Sequence, residues 1–289
     1  MKKYAAAQLS VVPLRKTSSD ASEMVSQILF GEEVEILENN GNWLRVCCLW
    51  DGYEGWTDAK QMVNIEEENI VTINQNYDIS LELVQPALTP QFALPILLGS
   101  TLPHFDGLSF VFQGKNYAFS GAVLPSQLPL ISEELVQKIV RKYLYAPYLW
   151  GGRSPFGIDC SGFTQMVYKI LGIKLKRDAA EQVKNGEEIA FLEETQTGDL
   201  AFFDNPKGKI IHVGIILPEN QIIHASGCVR IDTLDRAGIW NAETEKYSHS
   251  LRMIKRILPV FDKINPSSLP NLIKSEIEYN ESTFQFNLF

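Results

Sequence analysis

The first 65 residues alternate short apolar stretches with turn signals, as small β-proteins do. Apolar stretches lie at residues 27–30, 34–37 and 43–46, and an Asn-Gly and an Asp-Gly pair mark turns near them. Residues 33–37 alternate polar and apolar side chains with a period of two, which is typical of a strand buried on one face. We therefore predict a small β-barrel over residues 1–65.

A second turn-rich segment follows at residues 66–128, and the pattern becomes helical after it. We predict β-structure for this segment, with an irregular linker domain as the alternative. A Ser-Glu-Glu sequence at residues 132–134 is typical of a helix start, and apolar side chains then recur four residues apart, at Leu135, Ile139 and Tyr143. We predict a third domain over residues 129–262 and a C-terminal extension over residues 263–289.

One helix of the third domain is predicted to begin at a cysteine. Phe163, Val167 and Ile170 form an apolar stripe at helical spacing after Cys160, and Gly172 suits the C-terminal cap. Because unpaired N–H groups and the helix dipole stabilise a thiolate, we expect the pKa of the Cys160 thiol to be lowered. Cys160 is therefore a candidate nucleophile, and a buried, unreactive cysteine is the alternative.

Two histidines lie in strongly apolar stretches that are predicted to be strands. His212 and His224 are 12 residues apart, which allows two antiparallel neighbours joined by a short turn at residues 218–220. With a cysteine at a helix start, the two imidazoles fit a base and its orienting partner. A satisfied core histidine is the alternative for each. No spacing typical of zinc ligands occurs, so we predict no metal and no cofactor.

Composition limits the classes of partner and compartment. A chain of 289 residues with 45% hydrophobic and 21% charged residues is typical of a globular protein with two or three domains. The net charge of -9 argues against a nucleic-acid or anionic-membrane partner, and no apolar run reaches the ~18 residues of a transmembrane helix. Four cysteines without regular spacing do not indicate a disulfide framework. We expect a cytoplasmic protein, or an exported one if a signal peptide has been removed.

Four motifs occur in an order that resembles a known enzyme family. They are YLWGG at residues 148–152, DCSGF at 159–163, TGDL at 197–200 and HVGI at 212–215. Over residues 130–260 the chain resembles the NlpC family of papain-like cysteine peptidases, which cut bacterial cell-wall peptides.

The two β-rich segments add to this resemblance. Residues 1–65 resemble a bacterial SH3-type barrel, and residues 66–128 resemble a more divergent barrel of the same type. The implied fold is α+β: a circularly permuted, papain-like cysteine peptidase domain preceded by two small all-β SH3-like barrels. The whole chain resembles the γ-D-glutamyl-L-diamino-acid endopeptidases of murein recycling.

The resemblance also implies a catalytic mechanism. Cys160 attacks the γ-carbonyl carbon of D-Glu, His212 takes the thiol proton and returns it to the leaving amine, and His224 orients His212. The main-chain N–H of Cys160 and the phenol of Tyr148 would stabilise the oxyanion.

Six further residues are implied to contact the substrate: Glu23, Tyr53, Trp150, Asp159, Ser161 and Asp178. Structural alternatives remain open for most of them. Asp159 is also a suitable helix N-cap, and Asp178 with Glu181 fits a capping box. Glu23 could be a solvated surface residue, while Tyr53 and Trp150 could be ordinary packing aromatics. Ala179 stands where the family has serine, which removes one hydroxyl from the cleft.

The sequence thus indicates a cysteine endopeptidase that cuts the γ-D-glutamyl–diamino acid bond of murein tri- or tetrapeptides with a free N-terminal L-Ala. A secreted peptidoglycan hydrolase anchored by its SH3-like domains is one alternative. A non-catalytic protein that binds wall peptides is another. The diamino acid, diaminopimelate or lysine, stays open, as does the oligomeric state.

Overall fold

The computed structural model describes residues 2–74, 77–126 and 131–261, so the predicted extension at 263–289 lies outside the described residues. The first unit is one antiparallel sheet in the order β3-β2-β6-β5-β4-β1-β7, folded around an apolar core that includes Val12, Leu14 and Val46. The predicted apolar stretches fall on β3, β4 and β5. The strands are β1 Lys3–Ala7, β2 Val11–Arg15, β3 Met24–Leu29, β4 Glu33–Asn40, β5 Trp43–Cys48, β6 Glu54–Asp58 and β7 Met62–Ile65.

The second unit is also built from strands, and it follows the short helix α1 Val71–Asn74. Its two sheets have the orders β10-β9-β13-β12 and β11-β8-β14. Phe30 of the first unit belongs to the apolar core of this second unit, and the centroid of its ring lies 4.8 Å from that of Phe112. The predicted domain boundaries stay predictions. The strands are β8 Tyr77–Ser80, β9 Val84–Leu88, β10 Ala93–Leu97, β11 Thr101–Pro103, β12 Ser109–Phe112, β13 Lys115–Ala118 and β14 Val123–Pro125.

The third unit has three helices, of which two pack against a large antiparallel sheet and the other packs against a helix. Its order is β17-β23-β18-β19-β20-β21-β22, and β22 also pairs with β23, which closes six strands into a ring. The helices are α2 Glu133–Lys142, α3 Cys160–Ile170 and α4 Ala179–Gln182. The strands are β15 Arg153–Ser154, β16 Gly157–Ile158, β17 Glu187–Ile189, β18 Leu200–Asp204, β19 Ile210–Leu217, β20 Gln221–Ser226, β21 Cys228–Leu234, β22 Gly238–Asn241 and β23 Lys246–Arg256.

Helix α3 is the element that carries the candidate nucleophile. It begins at Cys160 as predicted, because the Asp159 carboxylate caps the N–H of Gly162 at 2.7 Å. It ends at Ile170, and Gly172 adopts a φ of 78° just beyond, the left-handed conformation that commonly terminates helices. Every residue of α3 is buried, and the helix packs against β19 and β20. The fold thereby sets Cys160 over the two histidine-bearing strands.

The first unit is fastened to the third by a buried cluster of charges. Glu32, in the loop between β3 and β4, binds Arg153 on β15 through two hydrogen bonds of 2.8 and 2.9 Å. Lys169 on α3 binds the same carboxylate at 2.6 Å. The first unit therefore has a fixed place beside helix α3 and can contribute side chains to a shared cleft. Within the described part of the chain, no helix has the length and apolarity needed to cross a membrane.

Candidate active site

Cys160 occupies the first position of α3 and is 8% exposed. The backbone N–H groups of Ser161 and Val213 are directed at its sulfur and favour a thiolate. Burial and the nearby Asp159 carboxylate outweigh them and raise the pKa of the Cys160 thiol to about 12. The sequence-based expectation of a lowered thiol pKa is therefore wrong for the free protein, because the helix start is buried rather than open to water.

His212 on β19 and His224 on β20 lie side by side, as their spacing predicted. The two strands pair antiparallel, and Glu219 and Asn220 form their turn with φ values of 59° and 56°. Nε2 of His212 lies 2.8 Å from Nδ1 of His224. Gly214 makes room for this contact, since a Cβ there would lie 2.9 Å from the Cβ of His224. The predicted pair of base and orienting residue is thus joined by a hydrogen bond.

Burial controls the charge of His212, which is 5% exposed. It lowers the pKa of His212 well below its ordinary value, and His249 and His224 lower it further. A neutral imidazole can take the proton of a neutral thiol as the sulfur attacks a carbonyl carbon. His212 directly precedes Val213, whose backbone N–H is directed at the sulfur of Cys160. The arrangement therefore suits transfer of the proton during attack.

A cleft of about 600 Å³ leads to Cys160 and lies between the first and third units. Its walls include Cys160 itself. They also include all six predicted substrate contacts: Glu23, Tyr53, Trp150, Asp159, Ser161 and Asp178. Two of these come from the first unit and four from the third. The structure thus brings together residues that are up to 155 positions apart in a chain of 289 residues.

Comparison with known proteins assigns the family. Residues 145–248 match the model of the NlpC/P60 family, and residues 14–62 match that of the bacterial dipeptidyl-peptidase Sh3 domain. A Bacillus subtilis protein named gamma-D-glutamyl-L-lysine dipeptidyl-peptidase is 31% identical over 69% of this chain and 71% of its own length. The chain belongs to the NlpC/P60 family. It is a peptidase, with the papain-like fold and an N-terminal SH3-type all-β region.

Other members of the family cover more of the chain. Dipeptidyl-peptidase 6 of Lysinibacillus sphaericus is 30% identical over 74% of this chain and 85% of its own length. An NlpC/P60 crystal structure from Bacillus cereus matches 89% of this chain and all of that chain with a TM-score of 0.74. At a sequence identity of 23%, this match shows the fold alone. The match spans the first, second and third units together.

In this NlpC/P60 chain, both carboxylate oxygens of Asp159 accept hydrogen bonds. Asp159 binds Arg177 through two hydrogen bonds of 2.9 and 2.6 Å, and it accepts the N–H groups of Gly151 and Gly162. Ser161 accepts a hydrogen bond from the same guanidinium at 3.0 Å. The N-cap interpretation of Asp159 is confirmed, and its predicted contact with an amine would have to compete with Arg177.

Asp178 has a different environment, although it also lies at a helix start. Its side chain makes no cap hydrogen bond, so the predicted capping box with Glu181 is wrong. The carboxylate is half-buried, and burial raises its pKa. It lies near Tyr53, where burial and the Asp178 charge raise the pKa of the phenol to about 12. Asp178 therefore offers the cleft a carboxylate without a partner among the described residues.

Trp150 and Glu23 join the two walls of the cleft. The indole Nε1 of Trp150 donates to Glu23 at 2.9 Å, across 127 positions of sequence. Lys16 also binds Glu23, at 3.2 Å, and both contacts lower the pKa of this carboxyl. Gly151, with a φ of 78°, lets the chain approach the first unit, because a Cβ there would lie 2.4 Å from the carbonyl oxygen of Met24.

Tyr148 lies close to the nucleophile. Burial raises the pKa of its phenol to about 12, and its neighbours Cys160 and Asp159 add to the effect. The phenol therefore keeps its proton at neutral pH and can donate to a developing oxyanion. The N–H of Cys160 is among the first-turn N–H groups of α3 that lack a partner within the helix.

Two residues near the histidines were not anticipated from the sequence. Asp232 on β21 lies 3.0 Å from Nε2 of His224. His249 on β23 stacks on His212 with ring centroids 4.0 Å apart. The polar alternation of Arg230 and Asp232 in a strand that follows His224 was a signal for the first. Nothing in the sequence around His249 distinguished it from an exposed strand residue.

A metal ion is a poor fit to this histidine cluster. His212, His224 and His249 offer ring nitrogens that lie within 4.8 Å of one another. A tetrahedral zinc ion with bonds of about 2.0–2.1 Å holds its ligand nitrogens about 3.3 Å apart, farther than the 2.8 Å between the hydrogen-bonded nitrogens of His212 and His224. The second nitrogen of His224 is held by Asp232. The cluster is better described as a hydrogen-bonded chain than as a set of ligands.

Proposed function

We propose that this chain releases L-Ala-γ-D-Glu from murein peptides with a free N-terminal L-Ala, and that it acts in the cytoplasm on recycled cell-wall fragments. Relatives from Bacillus cereus and Bacillus subtilis carry the name gamma-D-glutamyl-L-lysine dipeptidyl-peptidase. An enzyme that removes a dipeptide must recognise an ammonium group two residues before the bond it cuts. The cleft has chemistry that suits this task.

The observation that carries the proposal is the carboxylate of Asp178, which lies in the cleft that holds Cys160 and has no hydrogen-bond partner within the described part of the chain. An ammonium group would offset the cost of burying this carboxylate. Tyr53 lines the same region, and Glu23 adds a second carboxylate from the first unit. This combination of carboxylates and a phenol favours a free amine over an acetylated one.

The proposed reaction uses the groups already described. Cys160 forms a bond to the γ-carbonyl carbon while its proton passes to His212. The N–H of Cys160 and the phenol of Tyr148 donate to the oxyanion. The carbon–nitrogen bond to the diamino acid then breaks, and His212 protonates the leaving amine. Water hydrolyses the remaining thioester and releases the dipeptide.

The proposal is tested with pairs of tripeptides that differ only at the N-terminus. L-Ala-γ-D-Glu-L-lysine and its diaminopimelate counterpart are each supplied with a free and with an acetylated L-Ala, and products are measured by mass spectrometry. We expect kcat/KM to be about 10- to 150-fold higher for the free amine, the value of a hydrogen bond to a charged group. Equal cleavage would instead favour the secreted hydrolase, and no cleavage would favour the non-catalytic binding protein.

Asp178→Asn is expected to raise KM for the free-amine peptide by about 10- to 100-fold, because the substrate ammonium loses its ionic partner. The acetylated peptide should show little change. Glu181→Gln is the matched control, since Glu181 lies three residues later and forms an exposed pair with Lys184. Steady-state kinetics on both peptides provide the measurement. An equal loss on both peptides would assign Asp178 to structure rather than to the amine.

A further inference from the structure

The hydrogen-bonded chain that starts at His212 continues past the predicted catalytic residues. Nε2 of His224 lies 3.0 Å from Oδ2 of Asp232. Arg230 donates from Nη2 to Oδ1 of Asp232 at 3.0 Å, and its Nε lies 2.8 Å from Oδ2. The side chains of His224 and Asp232 are only 1% and 6% exposed. A buried carboxylate therefore ends the chain.

Strand register explains how these groups meet. His224 on β20 is paired directly with Arg230 on β21, and Asp232 follows two residues later on the same face. At such a diagonal position a carboxylate can reach an imidazole on the neighbouring strand. Gly214 on β19 leaves space for the ring on the other side. The sheet holds Asp232 against His224 independently of any substrate.

The carboxylate dictates where the protons of both rings lie. Ionised Asp232 can only accept, so Nε2 of His224 must carry a proton. In the neutral ring, Nδ1 of His224 is then an acceptor, and Nε2 of His212 must donate to it. Nδ1 of His212 is left with a lone pair.

We propose that Asp232 is a positioning residue that fixes the tautomers of His224 and His212 and so keeps Nδ1 of His212 ready to accept the Cys160 proton. The proposal rests on the proposed peptidase function. When the sulfur bonds to the carbonyl carbon, the thiol proton moves to Nδ1 and makes His212 an imidazolium. His224 and Asp232 stabilise that charge, and the proton later leaves with the amine product.

The charged neighbours are consistent with an ionised Asp232. Hydrogen bonds from His224 and Arg230 lower the pKa of Asp232 despite its burial. Oε2 of Glu243 lies 3.3 Å from Nη1 of Arg230. His249 on β23 faces His212, and burial lowers the pKa of His249 to about 4. Cys160 on α3 lies next to β19, since the backbone N–H of Val213 is directed at its sulfur, and the thiol keeps its proton at neutral pH because burial raises its pKa.

A first experiment reads the tautomers directly. Nitrogen-15 NMR of histidine-labelled protein is recorded for the wild type and for Asp232→Asn, without substrate. In the wild type we expect His212 and His224 each to carry the proton on Nε2. In the variant, the amide can donate to His224, so forms protonated on Nδ1 become populated. A wild type with the Nδ1 proton, or tautomers that do not depend on Asp232, would overturn the proposal.

A second experiment follows catalysis. In Asp232→Asn we expect kcat to fall about 10- to 100-fold while KM changes less than about threefold. The acid limb of kcat/KM should move to lower pH, because the carboxylate raises the pKa of the imidazolium that it stabilises. Asp232→Glu restores a carboxylate and should recover part of kcat.

Asp199→Asn is the matched control for a purely structural loss. Asp199 is a fully buried carboxylate of the same unit that accepts hydrogen bonds from Arg256 at 2.9 and 2.7 Å, and among the described residues it has no hydrogen bond to an imidazole. Glu243→Gln tests the exposed end of the network. Equal effects in Asp199→Asn and Asp232→Asn, or an unmoved acid limb, would contradict the proposal. Tautomers that depend on Asp232 in a protein that cuts no murein peptide would contradict only the proposed function.

Discussion

Cys160→Ala is expected to lower turnover of L-Ala-γ-D-Glu-L-lysine by about 10⁴- to 10⁶-fold, the range seen when an enzyme loses its nucleophile. The sulfur is the atom that forms the thioester, and alanine offers nothing in its place. Tyr148 and the backbone N–H can still polarise the carbonyl group, but water must then attack without a covalent intermediate. Product formation by mass spectrometry measures the loss.

The variant should keep its fold, which separates catalysis from stability. Helix α3 retains its cap, because the bond from Asp159 to Gly162 does not involve the thiol. Cys47→Ala is the control, since Cys47 is a free cysteine on β5 of the first unit. It should cleave at the wild-type rate. If Cys160→Ala kept more than about 1% of the activity, the covalent mechanism would be wrong.

The raised pKa of the thiol affects how a catalytic cysteine can be recognised. Alkylation by iodoacetamide requires a thiolate, and the thiol of Cys160 has a pKa of about 12 in the free protein. Slow labelling at pH 6–7 would therefore not show that the cysteine is inert. Turnover of a peptide substrate is the decisive measurement.

Local signals predicted the parts of the site that lie within one element. The apolar stripe after Cys160 and the capping aspartate at position 159 define α3 in both sequence and structure. The sequence also predicted two apolar strands joined by a short turn, and in the structure these strands pair and place His212 next to His224. These predictions succeed because helix periodicity and hairpin geometry depend on neighbouring residues.

Long-range electrostatics could not be predicted in the same way. The chain has 35 acidic and 26 basic residues, and no spacing marks Arg177 as the partner of Asp159 or Asp232 as the partner of His224. Burial is also a property of the folded chain. It reversed the expected shift of the Cys160 pKa. The predicted capping contact of Asp178 is also missing from the folded chain.

Glu32→Gln is expected to reduce the free energy of unfolding by about 3–5 kcal/mol, because it leaves two buried cations without their shared anion. Arg153 and Lys169 are 3% and 2% exposed in their side chains, and both bind the Glu32 carboxylate. Lys169 also donates to the carbonyl oxygen of Gly99, so the cluster joins all three units. Urea unfolding followed by circular dichroism provides the measurement.

The Glu32 cluster should lose stability as the pH falls, because the pKa of the Glu32 carboxyl is lowered in the folded protein. Arg153 and Lys169 hold the pKa of Glu32 at about 2 in spite of its burial, below the ordinary value of 4.5. A depressed pKa contributes stability that is complete above about pH 4.5 and is lost as the pH falls toward 2, about 3 kcal/mol in all. Glu32→Gln should therefore lack this part of the acid-induced loss that the wild type shows.

Glu35→Gln is the matched control, since Glu35 pairs with the mostly exposed Lys2 and its substitution should change stability by less than about 1 kcal/mol.

The effect of Glu32→Gln should also reach the cleft. Lys169 lies on the helix that begins at Cys160, and Arg153 follows the segment that holds Trp150 against Glu23. We expect KM to rise with the loss of stability, because the first unit carries part of the cleft wall. An unchanged urea midpoint together with an unchanged KM would refute this role for the cluster.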